Sequence, residues 1–156
     1  MLNKLYIKFL SVIIGFIDRG NKKKIINFFK KKLNKNIINI IDVGAHEGET
    51  IDLFNDNFNI GKIFSFEANP RIYGVLKKKI KKSRYQNKIT LFNCGIGEKK
   101  EIKNLLVFND SSSSTYNKID DQTVYYKRKF FFLSLFSAKK DNLNKKISTK
   151  ILPLSD

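Results

Sequence analysis

Four residues have the types and spacing of a nucleotide cradle: Asp42, Gly44, Gly48 and Glu67. The first three stand in the stretch Ile37-Ile38-Asn39-Ile40-Ile41-Asp42-Val43-Gly44-Ala45-His46-Glu47-Gly48-Glu49-Thr50. An almost unbroken β-branched run, closed by an acid and a glycine-bearing turn, predicts a buried parallel strand feeding a tight loop and a helix. Gly44 lets the backbone leave the strand at angles other residues resist, and Gly48 lets the helix start approach a ligand with no side chain between; both glycines are expected to serve the ligand. The spacing is G-x-x-x-G and lacks the middle glycine of G-x-G-x-x-G, which admits a dinucleotide pyrophosphate. An acid two residues before Gly44 repels a pyrophosphate and welcomes an amine. These residues therefore favour S-adenosylmethionine, which carries an ammonium group, over NAD. Glu67 agrees with this: Ile63-Phe64-Ser65-Phe66-Glu67 reads as a second buried strand, tipped by a carboxylate ~20 residues after Gly44, where a ribose diol is held bidentately. His46 is the sole histidine. It has no acidic or cysteine companions at metal-ligand spacing and reads as a shape or hydrogen-bond residue, not a catalytic one.

The elements that must position these residues follow from periodicity. Ile51, Phe54 and Phe58 recur at helical spacing after the loop, so residues 49–58 are a helix whose first amides carry the partial positive charge that suits a carboxylate. Asn69-Pro70 is an N-cap with proline at the first helical position, and the helix it opens runs to about Ser83 with Ile72, Val75, Leu76 and Ile80 buried. Residues 88–94 form a third strand leaving through Asn93-Cys94-Gly95. Glu98-Lys99-Lys100 reads as a hairpin turn, 101–108 as a strand, 109–117 as a polar serine-rich loop, 139–146 as a charged loop and 147–152 as a short strand. Between the two loops, 123–136 is an aromatic and apolar run that reads as a strand pair seeking cover. Upstream, residues 1–19 form an amphipathic helix, Gly20 and Asn21 break it, and 22–36 form a second with Ile25, Ile26, Phe29 and Leu33 on one face, covering the sheet or the cofactor mouth.

With these residues in view, I-I-D-V-G-A-H-E-G-E-T and F-S-F-E-A-N-P resemble the opening half of the FkbM-type S-adenosylmethionine-dependent methyltransferases. L-F-N-C-G-I-G-E and the serine run at 111–114 agree in placement. The resemblance implies an α/β, Rossmann-like class I methyltransferase fold with a doubly wound seven-stranded sheet. In that division residues 1–36 are N-terminal amphipathic helices and 37–156 the first half of the cofactor domain, which is thus incomplete. It also implies that Ala45, His46 and Ala68 border the cofactor with Asp42, Gly44, Gly48 and Glu67, that Asn93 lies where the adenine is held, and that a hydroxyl on a sugar, glycan or polyketide-like small acceptor is methylated. An acid-rich strand that lines the transfer site in the family is missing. No catalytic base can be named, and the chain alone is expected to bind the cofactor weakly and turn over nothing.

Length and charge bound the alternatives. The chain has 156 residues and a net charge of +17, but only four of its 31 basic residues are arginine. Lysine, asparagine and isoleucine dominate together, a bias that an AT-rich genome produces without a polyanionic partner, so solvated lysine faces are expected and nucleic acid is not. Cys94 is the single cysteine, which excludes an internal disulfide and a multi-cysteine zinc site and suits a reducing cytoplasm. No metal is expected. The apolar part of residues 1–19 is too short for a bilayer, which needs ~20 residues, leaving packing on the domain or peripheral membrane contact through Lys4 and Lys8. A non-enzymatic basic membrane- or polyanion-binding protein and a Rossmann NAD-binding fragment are the competing classes.

Overall fold

The computed structural model describes residues 20–33, 36–107, 114–117, 123–124 and 145–155. The expectations for residues 1–19, the serines at 111–113 and the aromatic run at 125–136 lie outside them. Three strands and two helices alternate: β1 (Ile38–Val43), α2 (Glu49–Asn57), β2 (Ile60–Phe66), α3 (Pro70–Lys81) and β3 (Ile89–Phe92), preceded by α1 (20–32). β1, β2 and β3 form a parallel sheet in that order. The alternation of a β-branched run with a helix of period 3.6 dictates this arrangement, because parallel neighbours need a crossover.

The core lies on one face of this sheet. Ile60 and Ile63 of β2 pack with Ile51 of α2 and with Leu76 and Ile80 of α3, and Ile38, Ile40, Ile89 and Leu91 border them. No described element covers the opposite face: Ile41, Val43 and Phe64 are 59%, 56% and 38% exposed. β1 is therefore not the strand buried on both faces that its composition predicts; its burial alternates residue by residue. Both crossover helices cover the same face, so only one side of the expected double winding stands among the described residues. Val75 corrects a second expectation, since it is exposed while Ile72, Leu76 and Ile80 are buried.

A bulge sets the β1–β2 register. Ile38 pairs with Ile60 but Ile40 pairs with Ile63, leaving one extra residue in β2. Asn39 Oδ1 accepts from Lys62 N at 2.9 Å, and a Cβ on Gly61 would meet that oxygen at 2.7 Å. Glycine is required there by close approach.

A second sheet follows directly. β4 (Gly95–Ile96), β5 (Glu101–Val107) and β6 (Lys145–Leu152) lie in the order β4-β6-β5, with β6 parallel to β4 and antiparallel to β5. Residues 98–100 thus do not close a hairpin, because β6 enters between the two strands they connect. α1 also differs from expectation. Gly20 and Asn21 are helical, which a glycine permits at a cost of only ~1 kcal/mol. Its Phe29 packs edge-on against Phe54 of α2 at 5.2 Å, so α1 rests on that helix.

Candidate functional site

The site is built where β1 and β2 end. After Val43 the chain turns through three left-handed residues at alternate positions: Gly44 (φ 85°), His46 (φ 47°) and Gly48 (φ 84°). Gly44 N and Ala45 N both donate to Phe66 O, at 2.8 and 3.0 Å, which carries the β1–β2 ladder past the end of the strand. Gly48 N then donates to Ala45 O at 2.8 Å and closes the loop. A left-handed histidine is strained, and His46 is held there by its backbone amide, which donates to Glu67 Oε2 at 2.8 Å.

The two glycines have different work. A Cβ on Gly44 would meet nothing within 4 Å, so its need is conformational and the space beside it is open. A Cβ on Gly48 would meet Leu76 Cδ1 at 2.8 Å. That glycine makes room for α3. Ala45, 3% exposed, likewise points into the core.

Glu67 joins the ends of all three strands. Its N donates to Phe92 O at 3.0 Å, and its carbonyl accepts from Asn93 Nδ2 at 2.8 Å. Its carboxylate takes His46 N on one oxygen and Asn69 N on the other, each at 2.8 Å. A carboxylate has about four lone-pair sites, so half its capacity remains for a ligand. Asn69 is buried at the N-cap of α3 and accepts from Arg71 N at 3.1 Å, with Pro70 at the first helical position as its sequence predicts. Asn93 also reaches Ala68 O at 3.5 Å, so its amide fastens the turn after β2.

Asp42 sits one residue before the turn, beside Ser65 in the β1–β2 register. Asp42 Oδ2 and Ser65 Oγ are both buried without a hydrogen-bond partner among the described residues. Burial pushes the Asp42 carboxyl above its ordinary value, and the nearby Glu49 and Glu67 push it further. His46 Nδ1 lies 3.3 Å from Glu49 Oε1 at the rim. Three carboxylates therefore converge on the loop of a chain whose overall charge is strongly positive.

A cleft of about 310 Å³ opens between this corner and the second sheet. Gly44, His46, Glu67 and Ala68 line one side, and Cys94, Ser114 and Tyr116 the other. Asp42, Ala45, Gly48 and Asn93 do not line it. Cys94 is buried and burial raises its thiol pKa, which makes it an inert wall. Tyr116 was not foreseen. Its hydroxyl lies 2.9 Å from Thr149 Oγ1, and Gly95 leaves the room it occupies, since a Cβ there would come within 2.6 Å of that hydroxyl. Lys79 was missed too: its Nζ donates to Glu47 O at 2.7 Å and pairs with Asp52 at 2.7 Å, clasping the loop to α2 from α3. Nothing in the lysine-rich run of α3 separates Lys79 from its solvated neighbours except its place one turn after Leu76.

No family model matches the chain, and no curated protein matches it. Among solved structures it is similar to the methyltransferase FkbM from Methylobacillus flagellatus KT, at 18% identity and a TM-score of 0.41, over 48% of this chain and 22% of that one. It is also similar to a protein described as an rRNA-methylase from Clostridium thermocellum, at 13% identity and a TM-score of 0.40, over 84% of this chain and 96% of that one. The chain spans about a fifth of the FkbM structure's length. Likeness at this level leaves the chemistry to be argued from the site itself.

Proposed function

We propose that the chain carries the cofactor-binding part of an S-adenosylmethionine-dependent methyltransferase with a Rossmann-like class I arrangement. The observation that supports this most is the convergence of Asp42, Glu49 and Glu67 on a left-handed glycine turn at the carboxyl ends of parallel strands, the crevice where such sheets bind ligands. A local negative field in a chain of net charge +17 suits a cationic ligand and disfavours a pyrophosphate. The residues fit such a cofactor in two further ways. Space beside Gly44 is open, and the free lone pairs of Glu67 can accept from a ribose diol.

In this reading Glu67 holds the ribose, Gly44 and His46 border the cofactor, and Asp42 contributes negative charge from behind the turn. The cofactor, when bound, supplies a methyl group activated on a sulfonium. The chain's own residues bind and orient it, and none of the described ones stands out as a base. The acceptor, a hydroxyl on a sugar, glycan or polyketide-like small molecule, is supported only by the resemblance of the D-V-G-A-H-E-G and F-E-A-N-P motifs.

Calorimetric titration tests this. S-adenosylmethionine should bind measurably, NADH should not, and Glu67→Gln should weaken binding by tenfold or more while the circular dichroism spectrum is kept. Preference for NADH would replace the proposal with the dinucleotide reading.

A further inference from the structure

Helix α1 presents a surface that the cofactor site does not use. Residues 20–33 hold six lysines and no acid. Ile26, Phe29 and Leu33 are half-buried along the inner stripe, where Phe29 meets Phe54. Two large apolar side chains nevertheless lie outside that stripe, Ile25 at 43% and Phe28 at 58% exposure. They are three residues apart and so adjacent on the helix surface. Lys24, Lys31 and Lys32 stand three or four positions from Phe28, and all are exposed. An apolar centre is thus ringed by cations.

We propose that this face of α1 docks on an anionic lipid surface, with Phe28 and Ile25 entering the headgroup boundary and Lys24, Lys31 and Lys32 meeting lipid phosphates. Charge complementarity commits the face to a polyanion, and two features select lipid over nucleic acid. The ring contains lysine alone, whose long apolar stem can lie along the interface with its ammonium at the headgroups, while arginine, the usual bidentate phosphate reader, is missing from it. Ile25 has no π face on which a base could stack, but it does add area to bury in acyl chains. No described helix is long and apolar enough to cross a membrane, so the contact is superficial. With only two apolar anchors it is weak, reversible and salt-sensitive.

The chain contains no tryptophan, so Phe28→Trp introduces a single reporter. Mixed phosphatidylserine–phosphatidylcholine vesicles at low salt should shift its emission to the blue. Pure phosphatidylcholine and a duplex oligonucleotide should not. In co-sedimentation with the mixed vesicles, Phe28→Ser with Ile25→Ser should lose most of the bound fraction. Lys24→Glu and Lys31→Glu should each lower partitioning roughly fivefold or more. Lys145→Glu with Lys146→Glu, exposed on β6, should leave it within twofold. The proposal is overturned if the reporter does not shift, if the β6 pair costs as much as the α1 lysines, or if the oligonucleotide shifts the reporter and outcompetes the vesicles. Circular dichroism of each variant separates lost docking from lost fold, and a reporter buried against residues 1–19 would already be blue-shifted without lipid, which also overturns it.

Discussion

Asp42 is poorly stabilised, because its carboxyl is buried with one oxygen unpartnered among the described residues and two more carboxylates nearby. Its pKa lies above the ordinary value of 3.8, first through burial and then through Glu49 and Glu67. The folded chain therefore keeps a proton that the unfolded chain has lost, and stability falls as pH rises from that ordinary value through the raised one. Asp42→Asn removes the loss. Its melting temperature should exceed that of the native chain at neutral pH, and the gap should close as pH drops below about 3.8. A lower melting temperature at neutral pH would mean that the charge is compensated. The glycines separate on the same scale. Gly44→Ala meets only its left-handed backbone, a cost of about 1–2 kcal/mol. Gly48→Ala adds a clash with Leu76 and should lose roughly 2–5 kcal/mol in urea denaturation, through strain and overpacking together. Equal losses would place Leu76 elsewhere. Glu67 has two roles, since it braces the loop backbone as well as facing the cleft. Glu67→Ala therefore confounds folding with binding; glutamine keeps the shape and one acceptor but sets its NH2 against one of the two backbone N–H groups, so its melting temperature is read beside its affinity.

At the scale of elements, α2 and α3 hold the loop by packing first and by charge second. Leu76 is fully buried between them, and Leu76→Ala should cost about 2–5 kcal/mol. The Lys79–Asp52 pair is more than a third exposed on both sides, so it contributes at most ~1 kcal/mol to stability. Its consequence is geometric: Lys79→Met should leave the denaturation midpoint almost unchanged while speeding amide exchange at residues 46–48, and unaltered exchange there would show that the clasp holds nothing. β1 presents a different problem. Among the described residues it pairs only with β2, and Ile41 and Val43 are exposed beside an edge that none of those residues covers, a template for association. Val43→Lys should raise solubility, read by light scattering on concentration, at a stability change within about 0.5 kcal/mol.

For the whole molecule, a net charge of +17 on 156 residues makes self-repulsion part of the stability balance. Raising salt from near zero to ~0.15 M shortens the Debye length to about 8 Å and should raise the melting temperature; a melting temperature that falls would mean that ion pairs outweigh the repulsion. What the sequence alone determined is the local alternation from β1 to β3, the left-handed turn at Gly44, the cap at Asn69-Pro70 and the two carboxylates at the strand ends. Each of these is set by neighbours a few positions apart, through period, φ preference or a side chain reaching its own backbone. The tertiary structure decided what depends on residues distant in the chain. β6 enters between β4 and β5 because Ile151 pairs with both Gly95 and Glu101. Tyr116 and Ser114 reach the cleft only because of that second sheet, and Gly48 faces Leu76 only because α3 lies over the loop. Which face of β1 is covered, and by what, is likewise invisible in a run of isoleucines. Apolarity states that a side chain tends to be buried; the packing of distant elements selects which side chains are.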